Sequence, residues 1–225
     1  GLGVNPKTGT PPNAVKQIVA PGGSSSGAAV ATALNLSSAG IGSDTGGSVR
    51  IPAAWNNLVG FKPTHGKLSL HGVLKLCPNF DTVGPITKTV EDSFYLYKIL
   101  KGENLDPIEN DILKNKSFLI DTAFLTQNVC DEVNKSFQLS IKRIATSGAK
   151  IKEIDLDEVS ESTELAKKLF PYEAYKSWKK IIEAHPEKMH PPVLSRFRGG
   201  ISISHDDYLK TWNELKILRK SFLLK

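Results

Sequence analysis

The chain carries the stretch GGSSSGAAVA at residues 22–31 and the stretch GSDTGGSVRIPAA at residues 42–54. The first stretch passes from glycine and serine directly into a segment that is rich in alanine. A flexible Gly/Ser linker would not lead into such a segment, because a helix that is apolar nearly all round is buried in a core. This stretch therefore predicts an ordered loop that enters a buried helix.

The second stretch has the composition of a nucleophilic serine site. Ser48 follows two glycines where a loop is predicted to enter a helix, and glycines let several N–H groups point inward together. The four amides of this turn are therefore candidates for an oxyanion hole beside the Ser48 hydroxyl. A serine hydroxyl needs a base, and a second hydroxyl such as that of Ser24 is suited to relay its proton. The candidate oxyanion-hole residues are Thr45, Gly46, Gly47 and Ser48.

Other uses of these residues are disfavoured by the sequence itself. A phosphate-binding loop would carry GxxxxGK[ST] or GxGxxG, and neither pattern occurs in residues 21–52. An α/β-hydrolase would place its serine in GxSxG, whereas residues 46–50 read GGSVR. A metal site at His185 and His190 is disfavoured, because they lie in a proline-rich segment without a cluster of further ligands.

The two stretches resemble the sequence motif of the amidase signature family. The spacing of 24 residues between Ser24 and Ser48 fits that family without a gap. The resemblance continues through VGFKPT at residues 59–64, DTVGPI at residues 81–86 and TVED at residues 89–92. Several motifs thus fall in the family's order over about 70 residues, whereas the resemblance beyond Lys101 is only general.

The resemblance implies a Ser-cisSer-Lys triad. Ser48 would attack an amide carbonyl, Ser24 would shuttle the proton, and a cis peptide bond would lie in the serine-rich turn. The amides of residues 45–48 would bind the oxyanion. An acyl-serine would form, ammonia or an amine would leave, and water would release the acid without a metal or organic cofactor.

Further residues are candidates for supporting this site. Asp44 is expected to orient the loop by accepting backbone N–H bonds. Arg50 is interpreted as a structural tether, with contact to an acidic substrate as the alternative. Ser25 is expected either to hydrogen-bond within the site or to cap the following helix. Asp81 is expected to brace the core beneath the site.

The triad lysine is the main departure from the family pattern. The family's lysine is expected well upstream of the serine-rich stretch, but 23 residues precede Ser24. Lys7 and Lys16 lie in loop-like sequence at the wrong place, so neither is assigned the role. The lysine base is therefore predicted to be absent from this chain. Ser26 is a smaller departure, because the family usually has glycine there.

The ends of the chain bear on its domain organisation. Residue 1 is glycine, and a helical pattern runs into Lys225 without a stop signal. We therefore predict a single amidase-type domain over residues 1–225 that is incomplete at both ends. Either the sequence is a fragment of a longer protein, or the gene product itself is truncated.

The hydrophobic pattern predicts an α/β fold with a central mixed β-sheet flanked by helices, here in partial form. Residues 118–154 read as strand, helix, strand, which implies a parallel pair with a right-handed crossover. Residues 1–23 and 185–201 are predicted to be loops, because glycine and proline recur in them. Other predicted elements are helices over residues 25–36, 49–55, 90–102, 164–184 (broken near Pro171) and from 204 onward, and strands over residues 38–42 and 58–61.

Composition narrows the expected partners. The net charge is +6 and the pI about 9.2, but the lysines form no basic run with interleaved aromatics, so no direct nucleic-acid binding is expected. No apolar run approaches the length of a membrane span, which predicts no membrane association. Cys77 and Cys130 lie far apart without CxxC partners, which favours a reducing, cytoplasmic setting. The expected partner is a small-molecule amide substrate, and a homo-oligomer remains open.

Three functions follow from these observations. The first is hydrolysis of a carboxylic amide through an acyl-Ser48 intermediate. The second is that of the glutaminase (A) subunit of a tRNA-dependent amidotransferase, which would feed ammonia to a partner. Residues 70–81 resemble a general amidase more than such a glutaminase subunit, which favours the first function over the second. The third is a catalytically inert amidase fragment that kept the motif and lost the base.

Overall fold

The structure is a computed structural model that describes residues 1–108 and 113–225. Its internal contacts divide the chain into two compact units. Unit 1 comprises Gly1–Pro107 and Pro171–Ile201, and unit 2 comprises Ile108–Phe170 and Ser202–Lys225. Both units combine helices with a small sheet, so the α/β fold class is confirmed. Strands of both orientations occur, but the antiparallel pairs and the parallel pair lie in separate sheets.

Unit 1 contains a three-stranded antiparallel sheet with the order β1-β3-β2. Its strands are β1 (Gly40–Asp44), β2 (Val59–Gly60) and β3 (Thr82–Thr87). The pairing of β1 with β3 runs from Gly40 opposite Ile86 to Asp44 opposite Thr82. The last residue of β1 is thus paired to the sheet, and the turn that carries Ser48 begins directly from it.

The sequence analysis predicts no strand at the central strand β3. This strand contains Pro85, which cannot donate a ladder hydrogen bond. The Phe61 amide donates to the Pro85 carbonyl at 3.1 Å, but Pro85 has no N–H to return the bond. The β2 ladder accordingly stops at Gly60. The predicted strand over residues 58–61 is therefore only two residues long. A Cβ at Gly84 would lie 2.0 Å from the Phe61 carbonyl oxygen, so only glycine fits there.

Two short helices of unit 1 pack on this sheet. They are α1 (Ser26–Ala33) and α2 (Arg50–Trp55), both close to their predicted positions. Ala29, Val30 and Thr32 of α1 are buried, whereas Gly27 is exposed and the other alanines are half-buried, so the helix is buried on one side and not nearly all round as predicted. The small core between these elements consists of Ala29, Val49, Ala53 and Ile86, with Ala28 and Leu58 packed against it.

The next helix, α3 (Val90–Lys101), begins where it was predicted and ends one residue before the predicted end at Gly102. The Thr89 hydroxyl accepts a hydrogen bond from the Asp92 amide at 3.0 Å, which satisfies a free N–H of the first turn. Gly102 ends the helix in the left-handed conformation, with φ at 73°.

Unit 2 contains the predicted β-α-β arrangement. Strand β4 (Ser117–Ile120) pairs in parallel with β5 (Lys150–Glu153), and α5 (Asp131–Thr146) lies between them in sequence. A short helix, α4 (Thr122–Thr126), was not predicted. Asp121 stabilises this end of β4, because its carboxylate accepts from the Phe124 and Leu156 amides at 2.8 and 2.9 Å.

The last third of the chain differs from its prediction in two places. Helix α6 (Asp157–Ala184) starts earlier than predicted and continues through Pro171, so the predicted break there is wrong. The segment 185–201 is not all loop: it holds a 3-10 helix (Pro186–Lys188) and α7 (Pro191–Arg198). Proline opens both elements, where its missing N–H removes no helical hydrogen bond.

The final helix, α8 (His205–Leu223), begins as predicted. The hydroxyl of Ser204 caps it by accepting from the Asp207 amide at 3.0 Å. No helix within residues 1–108 and 113–225 combines the length and apolar character needed to cross a membrane.

Candidate active site

The turn after β1 folds around the carboxylate of Asp44, whose side chain is completely buried. Its Oδ1 accepts from the Gly47 amide at 2.7 Å, and its Oδ2 accepts from the Val49 amide at 3.1 Å. The Arg50 guanidinium donates two hydrogen bonds to the same carboxylate, from Nε to Oδ2 at 3.0 Å and from Nη2 to Oδ1 at 3.0 Å. Asp44 therefore orients the loop as expected, and Arg50 lies where a structural tether would lie.

Burial by itself raises the pKa of the Asp44 carboxyl, because a charge is less stable away from water. The hydrogen bond from Arg50 and the Gly47 and Val49 amides favour the ionised form and outweigh burial. The net result is a pKa below the ordinary value for aspartate, so Asp44 is an anion at neutral pH. A carboxylate that is ionised at neutral pH and fully engaged in hydrogen bonds has a positioning role.

The amides of the turn divide into two groups. The Gly47 N–H is directed at Asp44, so the expectation that it belongs to the oxyanion hole is corrected: Asp44 already holds it. The amides of Thr45, Gly46 and Ser48 have no hydrogen-bond partner within the part of the chain that the structure describes. Gly47 itself has a φ of 116°, which strongly favours glycine. Three amides are thus available to an incoming anion.

The serine-rich loop lies against this turn. Its peptide bond between Gly23 and Ser24 is cis. The Ser25 amide donates to the Ser48 carbonyl oxygen at 3.1 Å, and the Ser25 hydroxyl donates to the Ser43 carbonyl at 3.3 Å. Ser25 therefore bonds within the site, and its side chain makes no capping bond to α1. The structure brings the predicted serine pair of the relay into one neighbourhood.

Both serines of the predicted relay keep their hydroxyls uncommitted. Neither the Ser24 nor the Ser48 hydroxyl forms a hydrogen bond with another residue in the described ranges. Ser24 is exposed and Ser48 is half-buried, so a small molecule can reach both. A free, accessible hydroxyl beside three free amides is the minimal arrangement for attack on a carbonyl carbon.

Two buried asparagines hold the serine-rich loop to α2, and the sequence analysis missed both. Asn56 donates to the Pro21 and Pro52 carbonyls at 2.7 and 2.8 Å and accepts from the Ala14 amide at 2.8 Å. Asn13 donates to the Trp55 carbonyl at 2.9 Å. Apart from the bond to Pro52, which lies four residues from Asn56, these bonds join residues far apart in sequence, so no local pattern could predict them.

Replacing Asn56 by alanine should lower the free energy of unfolding by about 3 kcal/mol, because the Pro21 carbonyl would lose its donor and the Ala14 amide would lose its acceptor. Urea unfolding measures this loss. The matched control is Gln17→Ala, which removes an exposed amide from the neighbouring loop and should change stability by about 0.5 kcal/mol or less. Equal effects of the two substitutions would contradict the proposed anchoring.

A second buried carboxylate, Asp81, lies beside the turn. Asp81 Oδ1 accepts the hydroxyl proton of Thr45, and Oδ2 accepts from the amides of Leu76 and Cys77 at 2.7 and 2.9 Å. Burial raises the pKa of the Cys77 thiol to about 12, with the Asp81 and Glu173 carboxylates adding to the shift. Cys77 is therefore a protonated thiol at neutral pH and does not compete with Ser48 as a nucleophile.

The other polar candidates do not form a second catalytic group. Lys7 and Lys16 are exposed, and the Lys62 ammonium donates to the Pro63 carbonyl at 2.9 Å. Among residues 1–108 and 113–225, no group of three or more His, Cys, Asp or Glu side chains is placed to hold a metal ion.

The amidase family matches residues 2–222 of this sequence. The chain belongs to the amidase family. The resemblance drawn from the two glycine- and serine-rich stretches is thereby confirmed, and the match extends over nearly the whole sequence.

Solved structures agree with this assignment. A crystal structure of an amidase superposes with a TM-score of 0.91 at 37% identity, covering 99% of this chain and 50% of that one. The allophanate hydrolase of Kluyveromyces lactis shares the fold, with a TM-score of 0.85 at 22% identity over 96% of this chain and 37% of that one.

Two curated relatives of this amidase-family chain differ in function. The A subunit of the glutamyl-tRNA(Gln) amidotransferase of Helicobacter pylori is 39% identical over 146 residues, which cover 59% of this chain and 32% of that protein. Indoleacetamide hydrolase of Allorhizobium ampelinum is 38% identical over 151 residues, which cover 67% of this chain and 32% of that protein. The matched regions thus span about a third of these relatives.

Proposed function

We propose that this chain carries the nucleophile, the hydroxyl relay and the oxyanion hole of an enzyme that hydrolyses a carboxylic amide. The observation that carries the proposal is the hydrogen bond from the Ser25 amide to the Ser48 carbonyl, which holds the serine-rich loop against the turn. This bond keeps Ser24 close to Ser48 while both hydroxyls stay free. Membership of the amidase family supports the same reaction.

The proposed reaction proceeds in two stages. The Ser48 Oγ attacks the carbonyl carbon of the amide, and its proton passes to Ser24. The carbonyl oxygen becomes an oxyanion that accepts from the amides of Thr45, Gly46 and Ser48. Collapse of the tetrahedral intermediate breaks the C–N bond, and the leaving nitrogen takes up the relayed proton. Water then attacks the acyl-Ser48 ester, which releases the acid and restores the hydroxyl.

We do not assign any lysine that the structure describes as the base that accepts the proton from Ser24. Lys7 and Lys16 are exposed and Lys62 donates to a backbone carbonyl, so none has the setting of a general base. The family resemblance implies a lysine upstream of the serine-rich loop. Under this proposal the reaction takes no metal or organic cofactor, the substrate is a small amide, and the protein acts in the cytoplasm.

A second candidate function is release of ammonia from glutamine for a partner enzyme. The relative from Helicobacter pylori, which belongs to a glutamyl-tRNA(Gln) amidotransferase, favours it. The indoleacetamide hydrolase of similar identity favours direct hydrolysis of a small amide instead. Ammonia release from glutamine and from indoleacetamide by the native protein, with and without glutamyl-tRNA, separates the two. Turnover of neither amide, together with an unreactive Ser48, would indicate the inert alternative.

The nucleophile can be tested with a fluorophosphonate, which forms a P–O bond to an activated serine and expels fluoride. We expect one adduct on the native protein, mapped by peptide mass spectrometry to Ser48. Ser38→Ala, which removes an exposed serine elsewhere in unit 1, should leave labelling unchanged. Labelling at another serine, or no labelling of folded native protein, would refute the proposed nucleophile.

A further inference from the structure

We propose that Asp81 is a positioning residue for the oxyanion hole and that it acts through the hydroxyl of Thr45. The inference rests on the proposed function of the Ser48 turn. Asp81 Oδ1 accepts the Thr45 hydroxyl proton, and Thr45 carries the first of the three available amides. Asp81 itself touches no reacting atom in this scheme; its effect reaches the transition state only through the direction of backbone N–H groups.

The peptide unit between Asp44 and Thr45, which carries the Thr45 amide, is restrained by a hydrogen bond to its carbonyl oxygen. The Thr82 hydroxyl donates to the Asp44 carbonyl oxygen at 2.9 Å, and Thr82 is buried. In a trans peptide unit the C=O and the N–H point in opposite directions within one plane. The bond from Thr82 therefore restrains the peptide unit between Asp44 and Thr45. The N–H of Thr45 in this unit points away from Thr82. The bond to Asp81 adds a second restraint on the same residue, through its side chain.

Gly46 lies between two anchored residues. On one side Asp81 holds Thr45 by its hydroxyl, and on the other side Asp44 holds the Gly47 amide at 2.7 Å. Gly46 has no Cβ and is exposed, so nothing in its own side chain limits rotation of its peptide units. The direction of the Gly46 N–H depends on both anchors. Loss of the Thr45 anchor would let this amide turn away from the oxyanion.

Asp81 is suited to this task because its own position is fixed. It is 4% exposed, and its Oδ2 accepts from the amides of Leu76 and Cys77. Its amide donates to the Cys77 carbonyl at 2.9 Å, which closes the loop on itself.

The segment that precedes Asp81 is in turn held by the part of α6 that belongs to unit 1. Glu173 accepts from the Asn79 amide and side chain at 3.1 and 3.0 Å. The Trp178 indole N–H donates to the Lys75 carbonyl at 2.8 Å. These contacts keep the segment before Asp81 in place. The Asp81 carboxylate therefore does not move with the Thr45 side chain that it positions.

The decisive test compares Thr45→Val with Thr45→Ser in the native protein. Valine keeps the shape of threonine but cannot donate to Asp81, whereas serine keeps the hydroxyl. We expect Thr45→Val to lower kcat by about 10- to 100-fold with KM changed less than about threefold, because losing a whole oxyanion-hole donor costs about 10²- to 10³-fold. Thr45→Ser should restore kcat to within about threefold of the wild type.

Two further variants complete the test. Asp81→Asn, combined with Thr45→Val, should be no slower than the worse single variant, since both changes break the same bond. Thr64→Val, which removes an exposed threonine hydroxyl, should leave kcat unchanged. Thermal unfolding of each variant identifies any loss of activity that comes from misfolding.

The outcomes separate this inference from the function on which it rests. If the wild type is labelled at Ser48 and Thr45→Val keeps its kcat, the positioning role is overturned and the function stands. Equal losses in the valine and serine variants, or additive losses in the double variant, overturn it as well. If the wild type neither labels nor turns over an amide, the proposed function fails, and the positioning role fails with it.

Discussion

Replacing Ser48 by alanine should lower kcat for amide hydrolysis by about 10⁶-fold, because the acyl intermediate can no longer form. Removal of one member of a catalytic unit typically costs as much as removal of the whole unit. The amides that we propose bind the oxyanion remain in Ser48→Ala, so substrate binding should persist with a similar affinity. Turnover is measured as release of ammonia, and affinity by competition between an unreactive amide analogue and substrate.

The same substitution should leave the fold intact. The Ser48 hydroxyl makes no hydrogen bond to any other described residue, and its carbonyl, which accepts from the Ser25 amide, is retained in alanine. The free energy of unfolding should therefore change by about 0.5 kcal/mol or less. Ser38→Ala provides the matched control for both activity and stability. Retention of more than about a hundredth of the activity in Ser48→Ala would place the nucleophile elsewhere.

Replacing Asp44 by alanine should lower the free energy of unfolding by about 3 kcal/mol and also remove most activity. The change leaves the Gly47 and Val49 amides without their acceptor and the Arg50 guanidinium without its partner. Breaking a buried ion pair costs about 3–5 kcal/mol, and we expect the lower end because the Arg50 side chain is 49% exposed and can be rehydrated. Activity falls because Asp44 no longer anchors the Gly47 amide and the turn around it.

The matched control for this substitution is Asp106→Ala. Asp106 is 74% exposed and pairs with the Lys98 ammonium at 3.4 Å, so its loss should cost less than about 1 kcal/mol. Urea unfolding of both variants at neutral pH gives the comparison. Similar losses in the two variants would show that the buried Asp44 contacts contribute no more than an exposed ion pair.

The pH dependence of the Asp44 effect has a defined direction. The folded state holds the pKa of Asp44 below its ordinary value of 3.8, so the carboxylate contributes stability above that pH. This contribution is lost as the pH falls through the lowered pKa of the folded state. The stability difference between wild type and Asp44→Ala should therefore be greatest at neutral pH and shrink below about pH 4.

Motif positions and local patterns predicted much of this structure. The capping residues Thr89 and Ser204 marked the starts of their helices, and the apolar run after Ser26 marked a buried one. The two capping contacts, Thr89 with Asp92 and Ser204 with Asp207, each join residues within one turn of helix. Such contacts repeat in many proteins, and for that reason the sequence alone predicts them.

Predictions went wrong where contacts between distant residues override local preference. Pro85 argues against a central strand, yet β3 forms because it pairs with β1 along five residues, while the backbone of Pro85 faces the short strand β2. Pro171 argues for a helix break, yet α6 continues through it.

The candidate site shows the same division. The sequence motif predicted the positions of Ser24, Ser48 and the glycines of the turn. It did not predict the hydrogen bonds between distant residues that stabilise the turn. Thr45 and Asp81 are 36 residues apart, and Asn56 and Ala14 are 42 apart. The hydrogen bond from the Gly47 amide to Asp44 is a local contact and could have been predicted. An aspartate side chain often accepts a hydrogen bond from a backbone amide a few residues further along the chain.

The pairing of Asp44 with Arg50 has a consequence for the charge balance of catalysis. An oxyanion bound by this turn, as we propose, would lie near the buried carboxylate of Asp44, and like charges repel each other. The Arg50 guanidinium, with two nitrogens 3.0 Å from the carboxylate oxygens, cancels the charge of Asp44. Asp44 can therefore serve as a template for the backbone with less electrostatic repulsion toward the transition state than an unpaired carboxylate would cause.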